Sequence, residues 1–190
     1  MGKIVLSEFV SLDGVVQDPA GDEGFRRGGW VGQINGREEV DKVKLDEALG
    51  GAALLLGRRS YEFFAARWPS RTGALADRLN SLPKYVVSST IRHPAWYNST
   101  VLEGDPVNEV SKLKRKLAGD IIVYASFQLG RMLMDHDLAD ELRLMIYPVV
   151  LGAGERLFGE TGDSKPMRLV HTQTVADGIV FLSYEPVRGA

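Results

Sequence analysis

Ala52-Ala53-Leu54-Leu55-Leu56-Gly57-Arg58-Arg59-Ser60-Tyr61-Glu62 is the stretch on which the fold turns. Five consecutive apolar residues, bounded by Gly51 and Gly57, predict a short strand buried on both faces, as in a parallel sheet. Gly57 allows a sharp turn, and a helical pattern with Phe63, Phe64 and Trp68 follows. Those aromatics are expected in the core. A helix that starts where a strand ends aims free N–H groups and the positive end of its dipole at the strand's carboxyl edge, where an anion is stabilised. Arg58 or Arg59 adds a bidentate phosphate fork there, and the Ser60 hydroxyl adds a donor. The same residues also suit a plainer role, with Ser60 as an N-cap and the arginines solvated.

Outward from this turn, further segments read as strands: Lys3 to Val10, Tyr85 to Ser88, Asp120 to Tyr124, Glu141 to Val150, Met167 to Val175 and Ile179 to Glu185. Asp177-Gly178 between the last two predicts an antiparallel hairpin. Helical patterns separate the earlier strands. Asn35 with Glu38 reads as a capping box, Val40, Val43, Leu45, Ala48 and Leu49 as the apolar stripe behind it, and Gly50-Gly51 as its stop. Asp105-Pro106 opens a second helix with Val110, Leu113 and Leu117 inward, and its basic residues gather at the C-terminal end. Ser126 opens a third, with Leu129, Met132 and Leu133 inward and Asp135-His136-Asp137 at its end. The order is that of one α/β domain over residues 1–190 with a largely parallel sheet and an antiparallel C-terminal end. The glycine-rich stretch from Gly14 to Gly36 is the one long irregular segment, expected to be a lid or a binding loop.

Two more strand ends repeat the theme of Gly57. Tyr85-Val86-Val87 runs into Ser88-Ser89-Thr90, and Tyr124 runs into Ala125-Ser126-Phe127-Gln128-Leu129. Ligands of open α/β sheets bind at such carboxyl edges. If the three edges adjoin, an extended anionic ligand is expected.

Composition limits the alternatives. With 190 residues, 44% hydrophobic content and a net charge of −2, there is no general attraction to nucleic acid or to an anionic membrane. The chain has no cysteine, which excludes disulfides and thiolate chemistry. No apolar run approaches the ~20 residues of a membrane helix, and the charged start, Met1-Gly2-Lys3, is unlike a signal peptide, so a cytoplasmic protein is expected. Asn98-Ser99-Thr100 is then a polar turn rather than a glycosylation site. His93, His136 and His171 lack metal-ligand spacing, so no metal site is expected. There is no Gly-x-Ser-x-Gly elbow, and Gly152-Ala153-Gly154 reads as a turn after a strand.

The chain resembles the dihydrofolate-reductase superfamily, in particular the branch of the C-terminal reductase domain of bacterial riboflavin-biosynthesis deaminase-reductases. The resemblance is carried by the order and spacing of Glu8-Phe9-Val10-Ser11-Leu12-Asp13-Gly14, Phe25-Arg26-Arg27-Gly28-Gly29-Trp30, Leu55 to Glu62, Val87-Ser88-Ser89, and Asp140-Glu141-Leu142 to Pro148-Val149-Val150-Leu151-Gly152-Ala153-Gly154. It implies a three-layer α/β/α fold and an NADPH-dependent reductase. Hydride would pass to a small conjugated heterocycle, pterin- or pyrimidine-like, or to a related carbonyl or imine. By this resemblance Gly57, Arg58 and Ser60, with Arg59 beside them, meet the cofactor phosphates, and Ser88 and Ser89 border the adenosine end. Ala125, Ser126, Phe127, Gln128 and Leu129 lie under the pyrophosphate and ribose. Phe9, Val10 and Val16 flank the nicotinamide, while Phe9, Asp13 and Trp30 bound the substrate, Asp13 being the candidate catalytic contact. A homodimer through Glu141 to Val150 is also implied.

Two departures stand out. The third edge of that family carries a glycine pair, whereas here Phe127 adds bulk where phosphate or ribose would sit. The buried carboxylate that dihydrofolate reduction needs has no clear counterpart among Glu38, Glu39 and Asp41, which points to another substrate. The rival reading is a non-catalytic ligand-binding or structural homodimer of the same fold.

Overall fold

The computed structural model describes residues 1–159 and 164–188. Its strands are β1 Lys3–Ser11, β2 Gly51–Gly57, β3 Lys84–Val87, β4 Ser99–Leu102, β5 Asp120–Tyr124, β6 Glu141–Tyr147, β7 Met167–Ala176 and β8 Ile179–Pro186. The helices are α1 Arg37–Gly50, α2 Arg58–Ala65, α3 Ala74–Ser81, α4 Pro106–Lys116 and α5 Phe127–Asp135. Hydrogen bonding orders the strands β4-β3-β2-β5-β1-β6-β8-β7. The fold is α/β, as expected. The chain falls into two compact units, Met1–Leu6 with Asp41–Asp140, and Ser7–Val40 with Glu141–Ala190.

In the first unit β2 pairs in parallel with β3 on one side and β5 on the other, and β3 pairs in parallel with β4. Ala53, Leu54, Leu55 and Leu56 are all fully buried, which is what an unbroken apolar run requires. Leu54 and Leu56 join Ala48, Tyr61, Leu79, Val86, Trp96 and Ile122 in one core cluster. Alternation turns Ala53, Leu55 and Gly57 to the opposite face. There α5 packs on β2, and Leu129 is the neighbour of Gly57. A Cβ on Gly51 would stand 2.6 Å from the tip of the Ile122 side chain, which would have to shift to admit it.

In the second unit β6 and β7 flank β8 antiparallel. Asp177 and Gly178 both have positive φ, 39° and 82°, the turn that an Asp-Gly hairpin uses. Met145, Tyr147, Ile179 and Phe181 are buried on one face. Strand β6 stops at Tyr147 instead of running to Val150, because Pro148 has no N–H to offer the ladder.

Helix starts follow their caps. Asp105 accepts the Asn108 N–H at 2.9 Å with Pro106 at the first position, and α5 begins after Ser126. The expected capping box of α1 does not form: the helix starts at Arg37, and Val40 donates to the carbonyl of Gly36, whose φ of 117° takes the turn. The apolar stripe of α1 also differs. Leu49 is exposed, and the buried positions include Lys44 and Glu47, which form an ion pair at 2.8 Å.

Candidate functional site

The register places the three strand ends side by side. Gly57 of β2 is opposite Val87 of β3, so Ser88 follows directly beside the Gly57 turn, and β5 runs parallel along the other side of β2. Each end carries its own local bonds. The Gly57 N–H donates to Ser126 Oγ at 3.0 Å, and that hydroxyl donates to the Tyr124 carbonyl at 3.0 Å. Ser60 Oγ donates to the Ala125 carbonyl at 2.5 Å. Ser88 Oγ accepts the N–H groups of Thr90 and Ile91, while Ser89 is exposed.

These bonds change the expected roles. The protons of Ser60 and Ser126 are both spent inside the turn, so neither hydroxyl is a donor to an anion as it stands. What remains are the first-turn N–H groups of α2 and α5, which have no acceptor within their own helices, and the arginines. Arg58 reaches Glu62 at 3.1 Å one turn on, with both side chains about half exposed. Arg59 is exposed and forms no ion pair among the described residues. A Cβ on Gly57 would find its nearest neighbours in Ser126 and Leu129, at an ordinary 3.8–3.9 Å. The φ of Gly57 is −72°, so nothing in the fold itself demands glycine there. Ala125, by contrast, sits at φ 50°, where glycine is at ease and alanine is strained. Phe127 is half-buried, its ring 5.2 Å from the Arg131 guanidinium one turn later. Gln128 is exposed and Leu129 buried.

The second unit holds the other expected residues. Asp13 is a knot in its own turn: Oδ1 accepts from Ser11 Oγ at 2.7 Å and from the Leu151 N–H at 3.0 Å, and Oδ2 from the Gly152 N–H at 2.7 Å. Desolvation pushes the carboxyl up, but the bonds from Leu151, Ser11 and Gly152 outweigh it and hold it at about 2. Arg156 donates to the Asp13 carbonyl at 2.6 Å, and Arg27 donates to the Leu151 carbonyl. Trp30 is fully buried; its Nε1 donates to the Gln17 carbonyl, and its ring meets Tyr147 edge-on at 5.5 Å. Phe9 meets Tyr147 likewise, and Val10 and Val16 are buried.

The segment from Gly14 to Gly36 is organised by Asp18, which no sequence signal flagged. Its buried carboxylate accepts the N–H groups of Glu23 and Phe25, and its carbonyl those of Gly21 and Gly29. On α1, Glu38, Glu39 and Asp41 are exposed. Glu47 is the buried carboxylate of this helix, bonded to Lys44 and 3.5 Å from the Tyr124 hydroxyl. Among the described residues no cluster of side chains is arranged for a metal ion, and no helix is long and apolar enough to cross a membrane.

Comparison with known proteins agrees with this architecture. The family model of the RibD C-terminal domain matches residues 2–181. An uncharacterized protein of Bacillus subtilis, YyaP, is 29% identical over 96% of this chain and 94% of its own. Among solved structures, a putative riboflavin biosynthesis protein from Shewanella matches at a TM-score of 0.78 and 22% identity, over 99% of this chain and 100% of that one. Dihydrofolate reductase from Enterococcus faecalis, solved with NADP(H), matches at 0.63 and 14% identity over 97% and 96%.

Proposed function

The chain belongs to the RibD C-terminal domain family, and on that premise we propose that it is an NADPH-dependent reductase of a small conjugated heterocycle, pterin- or pyrimidine-like, or of a related carbonyl or imine. The observation that carries this reading is the adjacency of the Ser88, Gly57 and Ala125 strand ends on β3, β2 and β5. They form one polar edge with two helix starts. The residues fit a phosphorylated nucleotide: first-turn N–H groups and Arg59 supply donors, and the glycine at 57 leaves open a space that a side chain would fill.

When bound, NADPH supplies the hydride. The chain's own work in the first unit is to bind and orient. Arg59 neutralises phosphate charge, and the Ser60–Ala125 and Gly57–Ser126 bonds fix the two turns against each other. In the second unit we assign Phe9, Val10 and Val16 to the nicotinamide end and Phe9 to the substrate, and we read Asp13 as a clamp on the loop at Leu151. The family model crosses both units, which supports one domain over the chain.

A second copy is also part of the proposal. Leu144 and Ile146 of β6 and Val180, Leu182 and Tyr184 of β8 are only half-buried on one face, and Leu169 of β7 is 47% exposed beside them. Such an apolar row suits a homodimer contact. Sedimentation at micromolar concentration tests it, and a monomer would reject it.

The reductase reading is tested by thermal shift with NADPH and NADH. A nucleotide at 100 times its dissociation constant adds about 2.7 kcal/mol, a rise in Tm of about 5–10 °C for a chain of this size. No shift with either nucleotide rejects the reading and leaves the non-catalytic alternative.

A further inference from the structure

Lys84 opens β3 and is fully buried. Its Nζ donates to three backbone carbonyls, Asn80 at 2.6 Å, Leu82 at 2.9 Å and Tyr97 at 3.1 Å, and stands 4.4 Å from the centre of the Trp96 ring. No carboxylate pairs with it among the described residues. An ammonium has three N–H donors, and here each has its own acceptor. We propose that the carbonyls of Asn80, Leu82 and Tyr97, under the face of Trp96, form a binding site for a primary ammonium ion, which the chain fills with its own Lys84.

The chemistry of the walls supports a cation site rather than an incidental contact. Asn80 and Leu82 belong to the last turn of α3 and its cap, where carbonyls lack partners in the helix and the dipole is negative. The aromatic face adds the attraction of its quadrupole. Burial lowers the pKa of Lys84 to about 8, so the group still carries its third proton at neutral pH.

The walls are also held by bonds that do not involve Nζ. Trp96 donates its N–H to the Tyr61 hydroxyl at 2.9 Å and its Nε1 to Asn80 Oδ1 at 2.7 Å, and Asn80 Nδ2 donates to the Trp68 carbonyl at 3.0 Å. The backbone N–H of Lys84 donates to the Asn98 carbonyl at 2.8 Å. The cage therefore keeps its frame when the lysine side chain is cut back. Through Tyr61 it also braces α2, the helix that starts at the Gly57 turn.

The test is rescue by a free amine. Lys84→Ala removes Cγ to Nζ, the atoms of n-propylammonium. The Tm of K84A is expected below that of the unsubstituted protein and to rise saturably with n-propylammonium chloride, by about 3–5 °C at tenfold the dissociation constant. K84M, whose apolar stem fills the space without a donor, and the unsubstituted protein should not respond. Equal shifts in K84A and K84M, an equal response of K84A to n-propanol, or no response of folded K84A would each overturn the proposal. If K84A does not fold, nuclear magnetic resonance of the unsubstituted protein decides. A slowly exchanging ammonium resonance with cross-relaxation to the Trp96 ring at pH 6 is expected, and its absence rejects the site.

Discussion

Two glycine-bearing turns look alike in sequence and behave differently in space: Ser11-Leu12-Asp13-Gly14 and Gly57-Arg58-Arg59-Ser60. Each follows a buried strand, and each combines a glycine, a hydroxyl and charge. In the first, both oxygens of Asp13 accept bonds from the protein's own chain, and Arg156 closes on the Asp13 carbonyl. In the second, the hydroxyl is tied down as well, but among the described residues Arg59 forms no ion pair, and the first N–H groups of α2 lack an acceptor within their own helix. A polar turn whose bonds close on itself is scaffold, and one whose donors point away from its own bonds is where a ligand is to be sought.

The contrast predicts that stability is lost at one turn and affinity at the other. Asp13→Ala removes the charged acceptor of the Ser11, Leu151 and Gly152 bonds and should cost about 2–3 kcal/mol of unfolding free energy by chemical denaturation. Its charge dependence has a definite sign. The carboxyl is lowered from 3.8 to about 2 in the folded protein, so its contribution is full above about pH 4 and lost as pH falls through about 2. Asp13→Asn should flatten that acid limb, and an unchanged limb would deny the clamp.

Arg59→Ala should next cost about 2 kcal/mol of NADPH binding, near 30-fold in Kd by titration, with the Tm of the free protein unchanged. Arg58→Ala should cost only a few-fold, because Glu62 already holds that guanidinium; a larger loss at Arg58 would reverse the assignment. Gly57→Ala sharpens the same point, since its Cβ makes ordinary contacts. Stability should fall by under ~1 kcal/mol, while NADPH affinity falls by about tenfold if phosphate approaches there. The smallest effect is expected from Ala125→Gly, which relieves a left-handed alanine and should stabilise by about 0.5–1 kcal/mol.

Much of the fold was legible along the chain. The Ala52 to Leu56 strand, the Asp105-Pro106 start of α4, the Ser126 start of α5 and the Asp177-Gly178 hairpin all rest on local signals, and all appear in the structure. Two elements gave no signal. Helix α3 begins after Gly73, with no side-chain cap to mark it. Strand β4 is four residues long, at the sheet edge and without a buried residue, so neither an apolar run nor an alternation betrays it. The candidate site was half legible: its residue types were visible, but not which hydroxyl protons were already spent.

Sequence alone determined most of the strands and helices, the family resemblance and the strand-to-helix turn at Gly57, because apolar period, turn residues and caps act between near neighbours. The tertiary structure decided that β2 lies between β3 and β5, that Asp13 and Ser60 face inward bonds, and that Lys44, Glu47 and Lys84 are buried. Lys44 and Glu47 pair within one helix and Lys84 bonds to nearby carbonyls, but burying them needs distant residues such as Tyr124 to close over them, and a periodic pattern carries no record of that cover.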